Sequence, residues 1–97
     1  MKNNYKNYAL SMKALSDETR IKIVEMLSHG ELCACKILEA FNITQPTLSY
    51  HMKILCDSGL ISNRKDGSMT KYSINIENLQ ELRNFIDIID ENMNTKS

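Results

Sequence analysis

With 97 residues, 42 % of them hydrophobic and 25 % charged, the chain is expected to form one small globular domain, residues 1–97. Its core would be thin, so a second copy covering more apolar surface would help it fold. No run of about 18 apolar residues is present for a membrane span, Met1-Lys2-Asn3-Asn4 leads into no signal-peptide core, and 12 basic side chains balance 12 acidic ones, which predicts a cytoplasmic protein with no membrane partner and no overall basic excess.

Tyr5, Tyr8, Ala9, Met12 and Leu15 recur at helical spacing and predict a first helix over about residues 4–15. Ser16 or Asp17 can cap a second helix that runs through Arg20, Ile23, Val24 and Leu27, with Gly30 as its stop. A short third helix is expected from Glu31, its apolar stripe formed by Ala34, Ile37, Leu38 and Phe41 at i, i+3, i+4 and i+7. Thr44 can accept the amide of Thr47, and Pro46 fits a first helical turn where its missing donor costs nothing. A fourth helix therefore runs from there to about Asp57 and ends at Ser58-Gly59. Residues 60–64 and 70–74 read as two strands joined through Asp66-Gly67, a dipeptide suited to a tight hairpin turn. Last, Leu79, Leu82, Ile86, Ile89 and Met93 alternate spacings of three and four over residues 77–93, the seam of a helix that packs against another helix, and Phe85 and Ile88 widen it.

These elements predict a mainly α fold with a small β-hairpin: a winged helix-turn-helix, with the helix-turn-helix at residues 31–58, the wing at 60–74, and terminal helices at 1–15 and 77–93. The terminal helices carry more apolar surface than so small a domain obviously covers, so Tyr8, Met12, Leu79, Leu82, Ile86, Ile89 and Met93 are the expected interface of a homodimer. Both helices closing over one monomeric core is the alternative.

At about 100° per residue, Leu48, Met52, Leu55, Ile54 and His51 share the inner arc of the fourth helix, and Gln45, Pro46, Ser49, Tyr50, Lys53, Cys56 and Asp57 the outer one. The outer arc is polar and hydrogen-bonding near its start, as a base-reading surface in double-stranded operator DNA requires. Gln45, Ser49 and Tyr50 are expected at base edges, Thr44, Thr47 and Lys53 on the backbone, and Arg64, Lys65 and Lys71 of the hairpin on flanking phosphates. Residues 43–72 hold four basic and two acidic side chains, the most basic third of the chain. His51, on the apolar arc, reads as a hydrogen-bonded core histidine, and His29 as a helix C-terminal residue. Solvated helix faces and lysine-bearing hairpins are also common without DNA, which leaves a protein-interaction module as a competing reading.

Three cysteines, two of them one residue apart, argue for free thiols in a reducing compartment rather than a disulfide framework. Cys33 and Cys35 are expected in the first turn of the third helix, where the macrodipole enriches the thiolate that binds soft ions. On an intact helix, side chains two residues apart point about 200° away from one another. Gripping one ion would therefore unwind that turn and, through the stripe packed on the reading helix, move the DNA surface. Ordinary semi-buried cysteines remain an alternative.

Ala14-Leu15-Ser16-Asp17-Glu18-Thr19-Arg20, Glu31-Leu32-Cys33-Ala34-Cys35, Gln45-Pro46-Thr47-Leu48-Ser49-Tyr50-His51-Met52 and Gly59-Leu60-Ile61 through Tyr72 together resemble the arsenic-responsive repressors of the ArsR/SmtB family, over about residues 10–75. The resemblance implies a homodimeric winged helix-turn-helix repressor, not an enzyme and without a catalytic cofactor, that leaves its operator when As(III) or Sb(III) binds Cys33 and Cys35. The prototype Cys-x-Cys-x-x-Cys would place a third thiolate at position 38, where this chain has Leu38, and Lys36 replaces the usual acidic residue. Cys56 is the one remaining thiol. The terminal helix carries Asp87, Asp90 and Glu91 but no histidine, unlike the zinc-sensing branch, and residues 1–15 lack the cysteines of the cadmium- and lead-responsive branch. A redox or persulfide switch on the same fold is the competing regulatory reading.

Overall fold

The computed structural model describes residues 4–95, so the first three residues of the expected N-terminal helix region lie outside the described part. The order is α1 (Tyr5–Ala14), α2 (Glu18–Leu27), β1 (Leu32–Cys33), α3 (Ala34–Glu39), α4 (Gln45–Asp57), β2 (Ile61–Asp66), β3 (Met69–Ile74) and α5 (Ile76–Thr95). It is a mainly helical fold with a three-stranded antiparallel sheet in the order β1-β3-β2.

Local signals start the helices. Asp17 caps α2, its Oδ2 accepting the Arg20 amide at 3.1 Å. Thr44 caps α4, its Oγ1 accepting the Thr47 amide at 3.3 Å, with Pro46 in the first turn. The core is built by Ala14, Ile23, Leu27, Ile37, Leu48, Met52, Leu55, Leu60 and Ile61, and each large aliphatic side chain fully buried there contributes about 1.5–3 kcal/mol. Leu48, Met52 and Leu55 are α4's buried side, which fixes the opposite arc toward solvent.

Arg20 is 8 % exposed and ties three helices together. Its Nε donates to the Ala14 carbonyl at 2.7 Å, and a guanidinium nitrogen meets His51 Nδ1 at 2.9 Å. Arginine only donates, so Nδ1 accepts and the imidazole proton sits on Nε2. His51 is thus a half-buried, hydrogen-bonded histidine of the α2–α4 packing, as its place on the apolar arc suggests.

Gly59 turns the chain from α4 into the sheet at φ +86°, and a Cβ there would lie 2.9 Å from Asn78 Nδ2, which itself donates to the Gly59 carbonyl at 2.7 Å. The glycine is required both by its backbone angle and by this close approach.

Two expectations are corrected. The third helix does not begin at Glu31: Leu32 and Cys33 are extended and pair with Tyr72 and Lys71 of β3, and the helix starts at Ala34 with Cys33 as its cap. The exposed edge of β3 offers backbone partners that a first helical turn lacks, so tertiary pairing overrides the local helical pattern. The hairpin loop is Gly67-Ser68, not Asp66-Gly67, because Asp66 pairs with Met69. Only Gly67 has positive φ there, +65°, which fits a turn with its left-handed residue first.

Candidate nucleic-acid interface and thiol cavity

The solvent arc of α4 holds the residues expected to read DNA. Thr44, Gln45, Thr47, Ser49, Tyr50 and Lys53 are all exposed, Tyr50 to 62 % with its ring edge-on to His51 at 5.5 Å between centroids. Thr44 also donates to Thr47 Oγ1 at 3.0 Å, and Lys53 Nζ lies 3.1 Å from Asp57.

On the wing every expected phosphate contact has an intrachain partner. Arg64 makes a two-pronged pair with Glu31, Nε to Oε2 and Nη2 to Oε1, both at 2.8 Å. Lys71 meets Asp66 at 2.9 Å, and Lys65 donates to Thr70 Oγ1 at 3.0 Å. The Arg64 hydrogen bond holds the Glu31 carboxyl below its ordinary range, and the Lys71 hydrogen bond does the same to Asp66. The single Lys71–Asp66 contact is worth little, whereas the two-pronged Arg64–Glu31 pair is the stronger kind and competes with a phosphate for the guanidinium. Nothing in the sequence flags Glu31 as the partner of Arg64, 33 positions away. The Asp66–Lys71 pair was within reach, because in the observed register the two are diagonal neighbours on adjacent strands.

Cys33 and Cys35 flank the first residue of α3, and because Cys33 lies in extended backbone rather than in the helix, the predicted 200° divergence does not arise. Their Cα atoms are 5.4 Å apart and their sulfurs are joined as a disulfide, with no unwinding of α3. Cys33 Sγ also accepts the Lys36 amide at 3.4 Å. The pair opens on a cavity of about 340 Å³ whose walls come from α3 (Leu38), α4 (Gln45, Ser49, Met52) and the wing (Met69, Tyr72). Leu38, at the position of the prototype's third thiol, lines this cavity. Cys56 does not: it accepts a hydrogen bond from Asn63 Nδ2 at 3.4 Å and lines a separate cleft.

The terminal helices divide. Leu82 is buried, Leu79 packs on the core, and Tyr8 stacks on Phe85 with centroids 4.5 Å apart, so these three expected interface residues serve the chain's own fold. They lie where α5 still leans on α1 and the core. Met12, Ile86, Ile89 and Met93 are 43 %, 51 %, 48 % and 69 % exposed, and the sequence seam left out Tyr5 and Leu10, exposed beside them on α1. From Ile86 to Thr95 the described helix is exposed all round.

Comparison with known proteins decides the class. Residues 17–63 match the family described as "Bacterial regulatory protein, arsR family". The chain is 46 % identical over 86 residues to the arsenical resistance operon repressor of Staphylococcus xylosus, covering 89 % of this chain and 83 % of that one. The chain belongs to the arsR family. The arsenical resistance operon repressor of Bacillus subtilis is 38 % identical over 78 residues, covering 79 % of this chain and 74 % of that protein. A crystal structure of an ArsR family transcriptional regulator superposes with a TM-score of 0.89 over the whole of both chains at 23 % identity, and a winged helix-turn-helix DNA-binding domain from Mycobacterium bovis with 0.72 over 99 % of this chain and 94 % of that one at 23 % identity, which establishes the winged helix-turn-helix fold. Like its arsR relatives the chain is a DNA-binding transcriptional regulator, not an enzyme, and among the described residues no helix is long and apolar enough to cross a membrane.

Proposed function

We propose that this arsR-family chain is a cytoplasmic, homodimeric repressor of arsenical resistance genes that leaves its operator when As(III) or Sb(III) is bound by Cys33 and Cys35. One observation carries the reading: the two sulfurs meet on a cavity walled by the reading helix and the wing. A thiophilic ion held there acts on both DNA-contacting elements at once. Cys33 is itself a residue of the wing sheet, paired with Lys71, so a change of backbone at the thiols passes into β3 without an intermediary.

In the DNA-bound form Gln45, Ser49 and Tyr50 meet base edges, Thr44, Thr47 and Lys53 the DNA backbone, and Arg64, Lys65 and Lys71 exchange their intrachain partners for phosphates. Two copies joined through Met12, Ile86, Ile89 and Met93 place two such surfaces on successive half-sites. No catalytic cofactor takes part; the metalloid is an inducer. A useful switch requires about 1–3 kcal/mol of coupling between inducer and operator.

The test follows operator release by fluorescence anisotropy on a duplex that the protein selects from a randomised pool. Arsenite, cadmium and zinc are titrated under a phosphine reductant into wild type and the Cys33→Ser, Cys35→Ser and Cys56→Ser variants. The first two should bind DNA but ignore arsenite, and the third should respond as wild type does; full release of Cys33→Ser by arsenite overturns the assignment. The contact between the sulfurs favours a second reading, a dithiol–disulfide switch on the same pair. It wins if air oxidation releases DNA, reductant restores binding and arsenite does nothing.

A further inference from the structure

The buried guanidinium of Arg20 faces two acceptors on two other helices. Its Nε donates to the carbonyl of Ala14, the last residue of α1, at 2.7 Å, and its Nη1 donates to Nδ1 of His51, midway along α4, at 2.9 Å. The first bond satisfies one of the carbonyls that a helix end leaves without an internal donor. The second depends on a lone pair, because a guanidinium only donates and Nδ1 must be unprotonated to accept. Among the described residues, the charged or titratable groups that meet the His51 ring are Arg20 and Asp17 of α2 and Tyr50 of α4 itself. Asp17 Oδ2 lies 3.9 Å from Nδ1, and the Tyr50 ring is edge-on at 5.5 Å between centroids. From α1 the cluster receives the Ala14 carbonyl, which does not titrate.

Resting on α4 as the reading helix, we infer that Arg20 and His51 are positioning residues for DNA recognition. Their contact holds α4 against α2 and the end of α1, and it exists only while the His51 ring is neutral, so operator binding is coupled to the protonation of that ring. Histidine suits such a joint, because it is the side chain whose ordinary change of charge falls between about pH 5 and 8. A proton on Nδ1 turns the acceptor into a donor and sets two cations face to face where little water reaches. The Asp17 carboxylate is then the nearest partner for the ring. Asp17 accepts the Arg20 amide at the start of α2, so a ring drawn to it shifts position 51 along α2. Because α4 is one continuous helix of 13 residues, Gln45, Ser49 and Tyr50 move with His51. The sign separates this joint from simple charge. An added cation attracts phosphates and by itself tightens DNA binding in acid, whereas loss of the joint loosens it.

The experiment measures operator affinity by fluorescence anisotropy from about pH 7.5 to about pH 5.5, at constant salt, under phosphine and without any arsenical. Asp17, Glu31 and Asp66 are held below their ordinary carboxylate values and stay charged throughout. Wild type should lose affinity by about tenfold or more on acidification, the worth of one hydrogen bond to a charged group. His51→Asn keeps an acceptor, Oδ1, on the carbon that carries Nδ1, and it takes up no proton. It should bind within about threefold of wild type at the upper pH and change by less than about threefold across the range. Arg20→Lys keeps the cation but offers one nitrogen to two acceptors, and should lose about tenfold at the upper pH, with folding checked by circular dichroism. Wild-type binding that tightens or stays level in acid overturns the inference, as does an acid loss retained by His51→Asn or a folded Arg20→Lys that binds like wild type. If Arg20→Lys does not fold, the His51→Asn comparison decides alone. Gln45→Ala and Ser49→Ala keep the two failures apart. If both leave operator affinity unchanged, α4 is not the reading helix and the inference falls with that reading; if they weaken it while the pH profile is flat, the inference falls alone.

Discussion

Replacing Glu31 with glutamine should strengthen DNA binding and change its salt dependence, although position 31 is expected to touch no DNA. Arg64 is paired through two nitrogens, each 2.8 Å from a Glu31 oxygen. When Arg64 turns to a phosphate, the released carboxylate stays close by, so the net charge presented to the backbone at that point is near zero. Glu31→Gln removes the negative charge but keeps a polar side chain of the same shape. Each phosphate neutralised adds about 0.9 to the slope of log Kobs against log salt, so a dimer gains up to about 1.8. Between 50 and 200 mM salt that steeper slope corresponds to about a tenfold larger drop in affinity than wild type shows, from a higher starting affinity at 50 mM. Anisotropy titrations at four or five salt concentrations measure it, with Arg64→Gln as the second corner of a cycle. In the Arg64→Gln background, Glu31→Gln should change nothing. Parallel salt plots for wild type and Glu31→Gln, or an equal effect with Arg64 absent, would refute the counter-charge argument.

Gly59→Ala should destabilise the fold by about 2–3 kcal/mol, combining the left-handed backbone penalty with loss of the Asn78 hydrogen bond, and urea midpoints will show whether Asn78→Ala alone accounts for no more than about 1 kcal/mol of it. Asp17, Glu31 and Asp66 are held below their ordinary values of 3.8, 4.5 and 3.8, by the Arg20 amide, Arg64 and Lys71 respectively. Their contributions are therefore complete above about pH 4.5 and are lost as pH falls through the lower native values; a urea midpoint that rises on acidification from pH 5 to pH 3 contradicts this sign. Ile89→Asp, with Ile86→Asp as a second variant, should shift the protein to monomer in sedimentation velocity while far-UV circular dichroism stays unchanged; a surviving dimer would place the interface elsewhere.

What could be read from the chain was whatever is decided within one turn or one helix face. Asp17 and Thr44 were recognisable caps because the groups they satisfy are three residues away, and the alternation of Leu48, Met52 and Leu55 settles which arc of α4 meets solvent. The hairpin was visible, but its loop slipped by one residue. An Asp-Gly pair and a Gly-Ser pair both satisfy a left-handed turn, and the choice is made by the register that sets Ile61 opposite Ile74. The division of the terminal helix was not legible, because a seam of threes and fours looks the same whether it faces its own core, as Leu79 and Leu82 do, or solvent, as Ile86 and Ile89 do.

The thiol pair shows the same limit with a functional consequence. Read as the start of a helix, Glu31-Leu32-Cys33-Ala34-Cys35 points its sulfurs apart, and any shared ligand has to be accommodated by unwinding. The strand that reverses this conclusion is two residues long and pairs with residues 71 and 72, nearly 40 positions away, so no local pattern encodes it. With Cys33 extended and Cys35 helical, the sulfurs meet while the fold is undisturbed, and distortion at α3 is no longer what binding must produce. On the proposed reading the signal arises instead from what fills the space between α4 and the wing and from the strain it places on β1. The wing should then respond to inducer at least as strongly as the reading helix. Amide exchange at β1 and β3 should change more on arsenical binding than exchange along α4, and the reverse ranking would return the mechanism to the helix.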